Sequence, residues 1–114
     1  MDLARQILLE LEKAPYDGRL LIVDIADYEE EAINYHVLLL AEAGLIEAKD
    51  LSSLDGAEWV PTRLTWQGHE FLDAARDQSR WNQAKRTISE RGGSLTFDIL
   101  GGVLTQLMRQ AVGL

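Results

Sequence analysis

Two blocks decide how this chain folds: Leu38-Leu39-Leu40-Ala41-Glu42-Ala43-Gly44-Leu45-Ile46-Glu47 and Arg63-Leu64-Thr65-Trp66-Gln67-Gly68-His69-Glu70-Phe71-Leu72. The first reads as the end of a helix. Gly44 supplies the left-handed residue that stops it, and Leu45 folds back on the last turn. Upstream, Asp27 with Glu30 three residues later forms a capping box, so the helix is expected over 27–43. Glu29, Glu30 and Glu31 crowd its first turn, where the helix dipole favours negative charge. Ile33, Val37 and Leu40 fall on its inner face. A strand is expected from Leu45 to about Lys49, then the turn-rich loop Asp50–Gly56, then a return strand from Glu58 to Leu64. Pro61 cannot donate a ladder hydrogen bond, so the return strand is an edge or carries a bulge. Trp59 is expected to pack across this hairpin. Thr65 is a good N-cap for a helix through about Arg76 that buries Trp66, Phe71 and Leu72.

Working outward, Asp2 is expected to cap a first helix to about Ala14, with Leu3, Ile7, Leu8 and Leu11 on one face. Pro15 stops it and Asp17-Gly18 is a turn signal. Leu20 to Ile25 is rich in branched residues and reads as a short strand. Downstream, a helix is expected from about Ser79 to Arg91 with Trp81, Ala84 and Ile88 inward, ended by Gly92-Gly93. Thr96 caps a last helix to about Val112. The fold class is therefore helix-rich α+β. One domain over 1–114 is expected, with 94–114 as an oligomerisation or packing helix.

The charge is unevenly placed. Residues 1–57 carry four Lys and Arg against thirteen Asp and Glu, a net of -9; residues 58–114 carry seven against six, a net of +1. Phosphate backbones attract basic surfaces, so the acidic half disfavours strong nucleic-acid binding through the 27–43 helix. Cysteine is absent, which excludes disulfides, thiolate metal sites and cysteine nucleophiles and fits a reducing cytoplasm. The first residues show no basic segment leading into an apolar run, so no secretion signal is visible. No apolar run is long enough to span a bilayer, and no membrane partner is expected.

The Leu38–Glu47 and Arg63–Leu72 blocks resemble the winged-helix pattern of bacterial regulators, in which a recognition helix ends in Gly-Leu-Ile and a hairpin wing leads into Leu-Thr-x-x-Gly. Only Asp24-Ile25-Ala26 separate the strand-like run from the 27–43 helix, so the helix-turn-helix is shortened. More closely, the chain resembles a family of small proteins of unknown function from bacteria and their phages. Its members share Tyr35-His36, Ala43–Ile46, the block from Leu64 to Arg76, Trp81-Asn82 and Gly92-Gly93-Ser94. This resemblance implies the fold and no established activity.

Catalytic chemistry is not indicated. The serines Ser52, Ser53, Ser79, Ser89 and Ser94 lie in turn, cap or helix-surface settings without a nucleophile elbow. Gly92-Gly93 and Gly101-Gly102 lack the strand context and the lysine of phosphate loops. His69-Glu70 lacks the second histidine of a zincin, since position 73 is Asp, and His36 is expected to hydrogen-bond near the junction of helix and wing. Neither cofactor nor metal is expected.

Binding residues remain. Asn34, Tyr35, Lys49 and Arg63 are the nucleic-acid contacts if the wing and helix read DNA. Arg76, Arg80, Lys85, Arg86 and Arg91 give the fourth helical region a basic face. Between Phe97 and Val112 only Asp98 and Arg109 are charged, so the last helix is apolar most of the way round and must be covered on two sides. Phe97, Leu100, Leu104, Leu107 and Met108 are therefore the candidate protein interface. The reading that results is a non-enzymatic winged-helix-type module acting by protein–protein contact as a homodimer. A DNA-binding transcriptional regulator is the first alternative. An acidic mimic of nucleic acid that inhibits a DNA-binding protein is the second.

Overall fold

A computed structural model describes residues 1–14, 17, 21 and 23–113. Among these residues are five helices and one antiparallel hairpin, a helix-rich α+β fold in which helix, hairpin and helix follow each other as in a winged helix. The helices are α1 (Asp2–Lys13), α2 (Glu30–Glu42), α3 (Trp66–Ala75), α4 (Gln78–Glu90) and α5 (Phe97–Ala111); the strands are β1 (Ile46–Asp50) and β2 (Trp59–Leu64). The chain forms two compact units, Met1–His69 and Glu70–Leu114.

In the first unit α1 buries Leu3, Ala4, Ile7, Leu8 and Leu11, the i, i+4 face that its spacing sets. α1 packs on α2 and β2, and α2 packs on both strands. Ile33, Val37 and Leu40 of α2 complete this core with Leu45, Ile46 and Leu64. Each such side chain contributes about 2 kcal/mol when withdrawn from water. Asp2 is the first helical residue of α1 rather than its cap, which is Met1.

The start of α2 differs from expectation. Asp27 is in the left-handed region at φ 72°, a conformation Asp tolerates better than most residues. The Tyr28 amide closes a turn onto the Ile25 carbonyl at 3.3 Å, so the helix opens only at Glu30, with Glu29 as an N-cap that makes no side-chain bond. The capping box is not formed. Glu30 and Glu31 do occupy the first turn, where the dipole favours them. The strand expected over 20–25 is also absent at the residues described there. Leu21 makes one ladder-like bond, its amide donating to the Pro61 carbonyl at 3.0 Å. Leu20, Ile22, Pro15 and Gly18 lie outside the described residues.

The C-terminus of α2 follows its sequence closely. The Gly44 amide donates to Ala41 and the Leu45 amide to Leu40, both at 3.0 Å, with Gly44 at φ 78°. These two bonds are the paired closure of a glycine-terminated helix. The hairpin that follows has the irregularity Pro61 predicts. Glu47 pairs with Arg63 and Ala48 with Pro61, leaving Thr62 as the extra residue of a bulge. The Thr62 hydroxyl donates to the Glu47 carbonyl at 3.1 Å.

In the second unit α4 and α5 pack together. Asp77 caps α4, its carboxylate accepting from the Arg80 amide at 2.7 Å, and Thr96 caps α5, accepting from Ile99 at 3.1 Å. Trp81, Ala84 and Ile88 face inward as expected. Phe71 meets Trp81 and Phe97 edge-on, with ring centroids 6.4 and 5.7 Å away. Phe71 and Leu72 are buried, whereas Trp66 is 73% exposed, against the expectation that all three would be inside. Trp66 lies roughly 160° around the helix from Gly68, by 100° per residue, and Gly68 marks the inward face.

Candidate functional site

A concave surface that combines carboxylates with apolar lining lies between the N-terminal half of α2 and the distal end of the hairpin. Its volume is ≈ 370 Å³. Ile33 and Val37 come from one wall and Trp59, Val60 and Pro61 from the other. The carboxylates of Glu30 and Glu31 on α2 and of Asp55 and Glu58 on the hairpin line the same cleft, and no Lys, Arg or His does so among the described residues. None of these four carboxylates has an ion-pair or hydrogen-bond partner among the described residues.

Asn34 joins the two walls. Its Nδ2 donates to the Ala57 carbonyl at 2.7 Å, and its Oδ1 accepts from the Trp59 amide at 2.5 Å. Both ends of the amide are therefore engaged with the hairpin. The hairpin end is itself well tied. The amides of Ser53 and Gly56 bond each other's carbonyls at 2.9 and 3.1 Å, and the Leu51 amide donates to Glu58 at 2.8 Å. The Ser52 hydroxyl accepts from the Glu58 amide at 2.9 Å, and the Asp50 carboxylate accepts from the Ser52 amide at 2.9 Å. Hydrogen bonds from the Ser52 side chain and amide hold the Asp50 carboxyl below its ordinary value of 3.8. At the tip Leu54 is 107% exposed.

The residues singled out for DNA are distributed differently from a single reading surface. Tyr35 is 58% exposed on α2, its ring edge-on to His36. Lys49 is exposed on β1. Asn34 serves the hairpin. Arg63 forms a two-pronged pair with Glu47, Nε to Oε2 at 3.1 Å and a terminal nitrogen to Oε1 at 2.6 Å, and its other terminal nitrogen donates to the Leu64 carbonyl at 2.9 Å. His36 does not bridge helix and wing: its Nδ1 donates to the Ala32 carbonyl one turn back at 2.8 Å. His69 is exposed, and no group of three or more His, Asp or Glu able to hold a metal occurs among the described residues.

On α5, Leu100 and Leu104 are wholly buried within the chain itself, while Phe97, Leu107 and Met108 are half-buried. Ile99, Val103 and Leu107 recur every four residues on a different line of the helix. With Ile88 of α4 and its C-cap Arg91 they border a groove of ≈ 410 Å³.

Residues 1–94 match the model of the family described as "Hypothetical protein (DUF2513)". The chain belongs to that family. A protein of Haemophilus influenzae carrying the name "Uncharacterized protein" is 41% identical over 110 residues, which cover 96% of this chain and 93% of that one. No solved structure matches. No described helix is long and apolar enough to cross a membrane.

The spacing rules that place α2 and the hairpin do not connect Asp55 and Glu58 with α2. A usable signal was present: Asn34 is a polar residue one position from the inward Ile33, on the side of α2 that the hairpin must cover.

Proposed function

We propose that this protein is a non-catalytic, winged-helix-type binding module that works by protein–protein contact and self-associates through α5. The observation that carries the reading is the state of the groups a DNA reader would use. Asn34 is engaged with Ala57 and Trp59, Arg63 is neutralised by Glu47, and the cleft that Asn34 lines presents four carboxylates. A phosphate backbone is repelled by that surface, whereas a protein partner with complementary charge is attracted to it. The self-association surface is the line Ile99, Val103 and Leu107, since Leu100 and Leu104 are enclosed.

Duplex DNA titrated against the full chain at low salt tests this reading by fluorescence anisotropy. No binding is expected at about 50 mM salt, where phosphate contacts are strongest. Salt-dependent binding that weakens in Tyr35→Ala or Lys49→Ala would replace it with the DNA-regulator reading.

A further inference from the structure

We infer that the α2–hairpin cleft docks a basic segment of a protein partner, with arginine or lysine heads on its rim and an apolar side chain on its floor. This rests on the binding-module reading and names the chemistry of the partner.

Four features of the cleft fit such an occupant together. Its ≈ 370 Å³ lies within the roughly 300–1,000 Å³ of ordinary ligand pockets and is large enough for a side chain to enter rather than lie across it. The apolar residues of the two walls, buried Ile33 and Val37 and half-buried Trp59 and Val60, form its floor beneath the exposed carboxylates, so an entering side chain gains burial. The carboxylates stand on both walls, Glu30 and Glu31 on one and Asp55 and Glu58 on the other, so a cation over the floor meets opposite charge from two sides. The two walls are held in register by Asn34, which limits the ordering that binding must impose.

Leu54 distinguishes a protein from a small polycation. It stands fully exposed at the hairpin tip, on a loop fixed by the Ser53–Gly56 bonds, and it does not line the cleft. A polyamine filling the cleft has no contact for it. A polypeptide crossing the rim extends to the tip and covers it, as an apolar anchor beside a charged rim.

The test uses the full chain and a fluorescein-labelled synthetic peptide of alternating arginine and leucine. Its acidic counterpart, with glutamate for arginine, is the control. Anisotropy is read at about 50 and about 200 mM salt. The basic peptide is expected to bind and the acidic one not to bind. Glu30→Gln with Glu58→Gln is expected to weaken binding about 5-fold, the effect of removing two exposed ion pairs. Glu42→Gln with Glu90→Gln changes the net charge equally at residues that do not line the cleft and is expected to leave affinity unchanged. Leu54→Ala is expected to weaken peptide binding about 3-fold and to leave spermine binding unaffected.

Equal weakening by both double variants would overturn the cleft as the site. Spermine competing as well as the peptide, with no effect of Leu54→Ala, would overturn the protein partner in favour of a small cation. Absence of peptide binding would end the inference while leaving the binding-module reading to its own DNA test.

Discussion

The Thr65 hydroxyl donates a 2.6 Å hydrogen bond to the Gly44 carbonyl and accepts the Gly68 amide at 3.0 Å, so one side chain closes the end of α2 and the start of α3 together. The Thr65 amide adds a bond to the Leu45 carbonyl at 3.0 Å. This junction brings the first turn of α3 against backbone. A Cβ on Gly68 would lie 1.9 Å from the Leu45 oxygen, far inside any tolerable contact. Gly68→Ala is therefore expected to destabilise by on the order of 3 kcal/mol or more, although alanine is the better helix former by about 1 kcal/mol. Gly102 in α5 has nothing within 4 Å of the same added atom. Gly102→Ala is expected to stabilise by about 1 kcal/mol. Urea denaturation of the two variants checks the opposite signs.

Asn34 supplies a second prediction. Asn34→Ala removes two hydrogen bonds between α2 and the hairpin, and a loss of about 1–2 kcal/mol is expected. Asn34→Asp keeps the acceptor for the Trp59 amide but turns a carboxylate oxygen toward the Ala57 carbonyl, so it is expected to be no better. In both, exchange of the Trp59 amide proton should speed up relative to the Thr65 amide, which donates to the Leu45 carbonyl at the other end of the hairpin. An unchanged rate would show that the clamp does not hold the hairpin.

The caps of this fold were legible because each is a short-range rule. Thr65, Asp77 and Thr96 accept from amides three residues on, and Gly44 and Gly92 follow the helices they end. Thr65 and Thr96 are recognisable as caps from residue type and position alone, and Pro61 alone marks the irregular strand. What failed was what local rules leave open. Asp27 has the right spacing for a capping box with Glu30, but spacing does not report the left-handed backbone that places it before the helix. Leu100 and Leu104 were recognised as needing cover, yet an apolar sequence does not say whether its own chain or another supplies it. Asn34 reads as a nucleic-acid contact only because side-chain chemistry alone does not show that a carbonyl and an amide of the hairpin stand opposite both ends of its amide.

Trp66 and Trp81 give a spectroscopic test of the packing. Trp81 is buried, with the Lys85 ammonium 5.8 Å from its ring centroid, and Trp66 is exposed. Iodide should quench a fraction of the emission that Trp66→Phe removes, with a stability change within about 0.5 kcal/mol. Trp81→Ala should cost about 3–5 kcal/mol as a core truncation. Quenching that survives Trp66→Phe undiminished would contradict the exposed placement.

Asp50 makes the hairpin end sensitive to acid in a defined direction. Its folded-state carboxyl is held below the ordinary value by its bonds from Ser52, so the ionised form is the one folding favours. The stabilisation is fully present above the ordinary value of 3.8 and is lost as pH falls through the lower folded value. Nuclear magnetic resonance titration should place this carboxyl below the ordinary aspartate value of 3.8. Ser52→Ala should move it part of the way back, because the backbone amide of residue 52 still donates. A carboxyl already at the ordinary value in the unsubstituted chain would contradict the geometry of the loop.

Two lines of α5 should respond oppositely to charge. Leu104 is enclosed, so Leu104→Asp places an unpaired carboxylate in the core and is expected to unfold the second unit rather than separate two folded chains. Ile99 is 46% exposed, and Ile99→Asp leaves the core intact. If α5 joins two copies through Ile99, Val103 and Leu107, light scattering should give twice the chain mass for the unsubstituted protein. It should give a single chain mass for Ile99→Asp, with an unchanged helical circular dichroism signal. A single chain mass for both proteins would remove self-association from the proposed function and leave the acidic cleft as the surface that meets a partner.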